Sequence, residues 1–185
     1  MNNYLYDNSL KYFNMHFSEL SKNEYSDFFS RYINLLGEID LLDELNLGKE
    51  RFIKIINSIS NNTLYSAYAD GKWTLAEVIL HCIDTERIFQ YRVLRISRND
   101  KTDLSGFNQD DYVPFSGANN RTVVDLLQEY LIVRNSTIYL FKYLTDSDLK
   151  RISTIDGNSI SVRAMGLIIC GHQVHHEQII KERYL

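Results

Sequence analysis

A single proline, Pro114, interrupts the 185 residues of this chain. Proline breaks helices because it lacks an N–H and its ring strikes the preceding turn. With so few breaks and only 8 glycines, long stretches carry nothing to stop a helix. The reading is therefore all-α.

Four apolar-periodic stretches support it. From Glu38 to Ile59, Ile39, Leu42, Leu45, Phe52, Ile53, Ile56 and Ile59 recur near helical spacing, with Gly48 as an interruption. From Thr74 to Ser97, Thr74 and Glu77 make a capping-box pair ahead of Val78, Ile79, Ile83, Ile88, Val93, Leu94 and Ile96. From Thr122 to Leu144, Thr122 and Asp125 repeat a weaker form of that signature. From Val162 to Arg183, Ser161 is the N-cap, and Met165, Ile168, Ile169, His172, His176, Ile179 and Ile180 lie close to one face. Glu24 to Leu36 suit a short docking helix.

The connections differ in kind. Residues 101–120 hold Gly106, Pro114, Gly117 and a pair of Asn, and read as a long loop of the sort that binds something or is disordered. Residues 145–152 suit one or two helical turns. Residues 153–160 place Asp156-Gly157 between Ile155 and Ile160, the signature of a small hairpin. The sum is a four-helix bundle with short antiparallel links and one decorated loop.

Charge and composition exclude several functions. Lys and Arg number 20 against 24 Asp and Glu, giving −4. That is not the basic footprint of a nucleic-acid binder. No apolar run approaches the roughly 18 residues of a membrane span. The first fifteen residues lack a secretory pattern. Two isolated cysteines, Cys82 and Cys170, make no disulfide framework or CxxC motif, so a reducing cytoplasm is the expected compartment.

Four of the five histidines fall in two of the helical stretches. His172 and His176 are four apart, so both imidazoles share one helical face and can reach one metal ion. His81 stands in the second stretch, and facing helices of a bundle commonly build a metal site between them. Three histidines leave coordination positions open, the catalytic rather than the structural arrangement. His175, three from His172, could replace His176 as a ligand; a supporting or solvent-facing place suits it better. His16 is read as unrelated to the site. The run is not that of a zinc protease, because Gln173 stands where H-E-x-x-H has its glutamate base.

Three passages resemble the DinB-like superfamily of damage-inducible and YfiT-like proteins, often labelled metal-dependent hydrolases. They are GKWTLAEVILHCIDTERIFQYRVLRISRNDK, GFNQDDYV and ISVRAMGLIICGHQVHHEQIIKERYL. The most specific blocks are W-[ST]-x-x-E-x-x-x-H-x-x-D-x-E over Trp73–Glu86 and G-H-x-x-H-H over Gly171–His176. The resemblance covers Glu24–Leu185, within a single domain over residues 21–185. Residues 1–20 read as an extension, with Met15 as an alternative start. The one departure is Asn108, where Asp is expected.

The resemblance implies an up-down-down-up four-helix bundle holding a divalent metal, zinc or nickel foremost. Carried over, its ligands are His81, His172 and His176. It also implies that Asp84 and the 101–120 loop border the pocket. Characterised relatives include S-transferases using low-molecular-weight thiols and a mycothiol-dependent maleylpyruvate isomerase, and many members are dimers. The expectation is an enzyme acting on a small-molecule substrate, by metal-bound water or by a metal-bound thiolate.

Among the remaining residues, Asp84 could orient a histidine or accept a proton; alternatively it is a surface carboxylate paired with Arg87. Glu86 and Arg87 read as exposed pairs. Arg92 and Arg95 read as a solvated face, with contact to an anionic substrate as the alternative. Cys82 and Cys170 read as buried apolar fillers. Trp73, Tyr91, Phe107 and Tyr112 are candidate pocket walls. The competing reading is a non-catalytic binding module in which the histidines hold a structural ion, or none.

Overall fold

A computed structural model describes residues 19–185. His16, Met15 and most of the 1–20 extension lie outside the described residues. Eight helices and one hairpin occur among the residues that are described. Four long helices make the bundle: α2 (Leu41–Asn57), α4 (Leu75–Ser97), α6 (Val123–Lys142) and α8 (Val162–Arg183). Short helices α1 (Asp27–Ile33), α3 (Asn61–Leu64), α5 (Gln109–Tyr112) and α7 (Asp146–Leu149) fill the connections. Strands β1 (Ile152–Ile155) and β2 (Asn158–Ser161) pair antiparallel, Ile152 opposite Ser161.

The helix starts follow their local chemistry. Thr74 and Glu77 form a full capping box on α4, and Thr122 and Asp125 form one on α6. Ser161 accepts the Ala164 N–H at the start of α8. A third box, Thr145 with Asp148, opens α7 within the predicted 145–152 turns. At the hairpin tip Asp156 and Gly157 both take positive φ, 48° and 73°, as a two-residue type I′ turn requires.

Contacts fix the directions. Leu45 and Phe52 meet Arg134 and Tyr130, so α2 and α6 are antiparallel. Glu86 and Gln90 meet Arg134 and Thr137, so α4 and α6 are parallel. Gly48 and Arg51 meet Gln173 and Glu177, so α2 and α8 are parallel. The topology is up-down-down-up. The plain reading of antiparallel links fails between α4 and α6, because residues 98–122 carry the chain back to the end where α4 began. That connection is not featureless. It contains α5 and two 3₁₀ turns, one holding Pro114. One end is tied to the hairpin by Leu104 N–H to Thr154 O and Asp156 N–H to Leu104 O, both 3.0 Å. The other end is tied to α4 by Asn119, which donates to Glu77 Oε1 at 3.0 Å.

The core comes as two apolar clusters with a polar layer between them. One joins Ile33, Leu45, Val93, Met165 and Leu167. The other joins Phe52, Ile56, Leu75, Ile79, Leu126 and Ile180. Three of the long helices pass from one cluster to the other through buried polar residues: Glu86 on α4, Arg134 and Thr137 on α6, and His172, Gln173, His176 and Glu177 on α8; Glu44 on α2 and His81 on α4 are buried as well. Buried polar groups need partners, and most of these partner one another. Arg134 donates through Nε and Nη2 to Glu86 at 2.8 and 2.7 Å. The Thr137 hydroxyl donates to Glu86 as well. Gln173 donates to Gly48 O and Glu177 while accepting from the Tyr130 hydroxyl.

A candidate metal centre

The histidines occupy one edge of this polar layer. His81 on α4 and His172 and His176 on α8 are between 5% and 8% exposed. Their ring centroids lie 5.0, 4.9 and 4.6 Å apart, and one nitrogen from each falls within 4.8 Å of the others. His81 Nε2 stands 3.1 Å from His172 Nε2. The cluster arises because α4 and α8 run antiparallel and the four-residue step on α8 stacks two imidazoles against one from α4.

Burial pushes all three imidazole pKa values down. That of His81 falls to about 4, with His175 adding a smaller push; those of His172 and His176 fall well below the ordinary value. At neutral pH the rings are uncharged, the form that ligates a metal. His176 Nδ1 is buried with no hydrogen-bond partner among the described residues. Three neutral imidazoles, an orphaned nitrogen and, among the described residues, no carboxylate within the cluster fit a divalent transition ion, which would retain its full positive charge there.

The surroundings divide by side. Thr85 Oγ1 lies 3.3 Å from His81 Nδ1, a hydrogen bond that orients the ring; with Nε2 ligating a metal, the Nδ1–H would be its donor. Trp73 packs on His81 at 5.1 Å between centroids. Tyr32, from α1, sets its ring edge against His172 and His175 at 5.2 and 5.5 Å. His175 is half-buried beside His176 and lies outside the nitrogen cluster.

A cavity of about 240 Å³ opens beside His172. Phe28, Phe29 and Tyr32 of α1, Phe89 and Arg92 of α4, Phe107 of the loop and the Asp156 turn wall it. A smaller space beside His81 is lined by Asp84, Thr85, Phe107 and Tyr112.

Several sequence expectations change here. Tyr91 is not a pocket wall: it is exposed, and its hydroxyl accepts a hydrogen bond from Arg95. It lies about 80° around the helix from His81, whereas Arg92, three turns along, returns to the same face. Arg92 is therefore buried rather than solvated. Glu86 is buried too, held by Arg134 and not by its neighbour. Asp84 does not reach His81. Thr85 takes that place, while Arg87 donates to Asp84 at 3.3 Å. Burial lifts the Asp84 pKa, with Arg87 opposing. Both cysteines are buried, and burial pushes the Cys170 thiol up to about 12 and Cys82 higher still. Asn108 caps α5 by accepting the Asp110 N–H, the task an aspartate performs at that position. Sequence reading missed Tyr32, Thr85 and Phe89; the four-residue step from His81 marks Thr85 and Phe89.

The model of the DinB superfamily matches residues 44–180. The chain belongs to the DinB superfamily. Solved structures agree on the fold. YfiT from Bacillus subtilis, described as a probable metal-dependent hydrolase with an unusual four-helix bundle topology, aligns with TM-score 0.69 and 16% identity over 88% of this chain and 90% of that one. The DinB-like protein YjoA from Bacillus subtilis aligns with TM-score 0.56 and 15% identity over 76% and 86%. A mycothiol-dependent maleylpyruvate isomerase aligns with TM-score 0.60 and 10% identity over 88% of this chain, which spans 62% of that longer chain. Comparison with curated proteins finds no match. Among the described residues, no helix of this DinB-superfamily protein is long and apolar enough to cross a membrane.

Proposed function

We propose that this DinB-superfamily protein is a metal-dependent enzyme acting on a small-molecule substrate, with His81, His172 and His176 holding one divalent transition ion, zinc or nickel. The observation that carries this reading is the convergence of three buried, uncharged imidazoles beside a cavity, with the His176 Nδ1 unpartnered among the described residues. Such an ion supplies Lewis acidity, bringing bound water toward a pKa of about 7 for hydrolysis or holding a low-molecular-weight thiol as thiolate for S-transfer. The chain's own residues do the rest. Thr85 holds the His81 ring. Tyr32 and Phe89 shield His172 from water. Asp84, facing the small space beside His81, accepts the proton released there. Trp73, Phe107 and Tyr112 shape the walls. Two copies of the chain form the working unit.

The pairing of Asp84 with Arg87 favours a second reading, in which the site binds a small molecule without turning it over. Zinc stoichiometry, measured by mass spectrometry of metals on protein made without an affinity tag, tests the first. We expect about one equivalent, lost in each of His81→Ala, His172→Ala and His176→Ala. Full stoichiometry in all three variants would reject the ligand set. Loss of hydrolysis and thiol transfer in Asp84→Asn with zinc retained supports the proton role; unchanged turnover rejects it. A monomeric mass by light scattering would reject the dimer.

A further inference from the structure

Arg92 is a buried cation that the proposed reaction leaves unused. Only 4% of it is exposed. Other buried or half-buried arginines of the protein meet carboxylates: Arg134 with Glu86, Arg163 with Glu24, Arg51 with Glu44 and Glu177. Arg92 has no such pair among the described residues. Its Nη2 donates to the Ser105 carbonyl at 2.8 Å, and the residue lines the cavity. Asp156, an exposed residue of the same wall, attracts it only at longer range. Withdrawing a guanidinium from water without a counter-charge is costly. Lining a cavity, it becomes a receptor for an anion.

The setting selects among anions. The guanidinium carbon lies 5.7 Å from the ring centres of both Phe89 and Phe107, so two aromatic faces flank the charge. The Phe89 ring is 6.1 Å from that of His172. Those two steps place Arg92 no more than about 12 Å from the histidine triad. A single guanidinium matches a carboxylate in bidentate fashion, and Asp156 disfavours a second negative charge. The cavity, at about 240 Å³, is smaller than the usual drug-sized site.

We propose that Arg92 receives the carboxylate of a small organic acid whose apolar body lies between Phe89 and Phe107 and whose far end points at the histidine triad. The direction of the far end rests on the metal reading above; the carboxylate contact does not.

Calorimetric titration of the full chain, metal-free and zinc-loaded, with 3-phenylpropionate, its amide and 3-phenylpropyl phosphate tests this. We expect the acid to bind at least about tenfold tighter than the amide. Arg92→Gln brings that ratio to near one with amide binding unchanged, and Arg92→Lys keeps part of it. A wild-type ratio near one, a ratio unmoved in Arg92→Gln, or tighter binding of the phosphate ester overturns the proposal. Should Arg92→Gln fail to fold, the Arg92 Nε–H resonance of the wild-type protein decides: it shifts with acid and not with amide, and equal shifts overturn the assignment. Zinc uptake without acid preference removes the Arg92 role alone. Acid preference without zinc uptake keeps Arg92 and removes the metal reading.

Discussion

At the scale of single residues, Glu86 and Arg134 show what one motif can and cannot reveal. The Trp73–Glu86 block holds three acidic residues, and each does something different. Glu77 closes a capping box, Asp84 pairs with Arg87 beside the site, and Glu86 neutralises Arg134 in the interior. Sequence spacing finds the first two because their partners are three residues away. It cannot find the third, whose partner lies 48 residues on along another helix. The histidines were legible for the opposite reason: a four-residue step on one helix is a local fact. Removing one member of the buried pair leaves the other uncompensated. Arg134→Met is therefore expected to cost about 3–5 kcal/mol in urea unfolding. Glu86→Leu/Arg134→Met recovers most of that loss; equal losses in the single and double variants would show that the pair is not the cause.

At the scale of elements, caps and periodicity located the four long helices to within a few residues, because capping is decided by side chains next to the backbone they satisfy. What they did not locate is how α1 meets α8. Gly171 sits where the two helices touch: a Cβ there would stand 2.2 Å from the Tyr32 carbonyl oxygen, a backbone atom that cannot rotate aside. Gly171→Ala therefore pushes α1 off α8 and lifts Tyr32 from His172. The expected cost is about 1–3 kcal/mol. Gly37→Ala, with open space around its Cβ, serves as control and changes stability little. Matching melting temperatures for the two variants would refute this close approach.

At the scale of the whole molecule, the parallel course of α4 and α6 was invisible to local pattern, and came only with the family resemblance. Another tie of long range joins the segment before α1 to the start of α8. Glu24 accepts from Arg163 Nε at 2.7 Å, and its own carbonyl accepts from Ser161 N–H. Burial alone would raise the Glu24 pKa; Arg163, with help from Ser21, instead holds it at about 2, below the ordinary 4.5. Between those two values the unfolded chain binds a proton that the folded chain refuses. The stabilisation is thus complete above pH 4.5 and fades as pH falls toward 2. The urea midpoint of the parent protein should drop more steeply across that window than that of Glu24→Gln. Parallel slopes would rule the tie out as a contributor.

The tethers at the two ends of the 98–122 connection have a further consequence, in evolution and in engineering. Leu104 is fixed to the hairpin and Asn119 to α4, and neither anchor involves a histidine. Residues 107–117 between them form a cassette: one wall of the cavity can be rewritten while the three histidines keep their own scaffold. A chimera carrying a foreign 107–117 segment is expected to bind zinc as the parent does and to choose among acids differently. On the proposed reading, exchanging this single stretch of chain would change substrate choice and leave the three histidines in place.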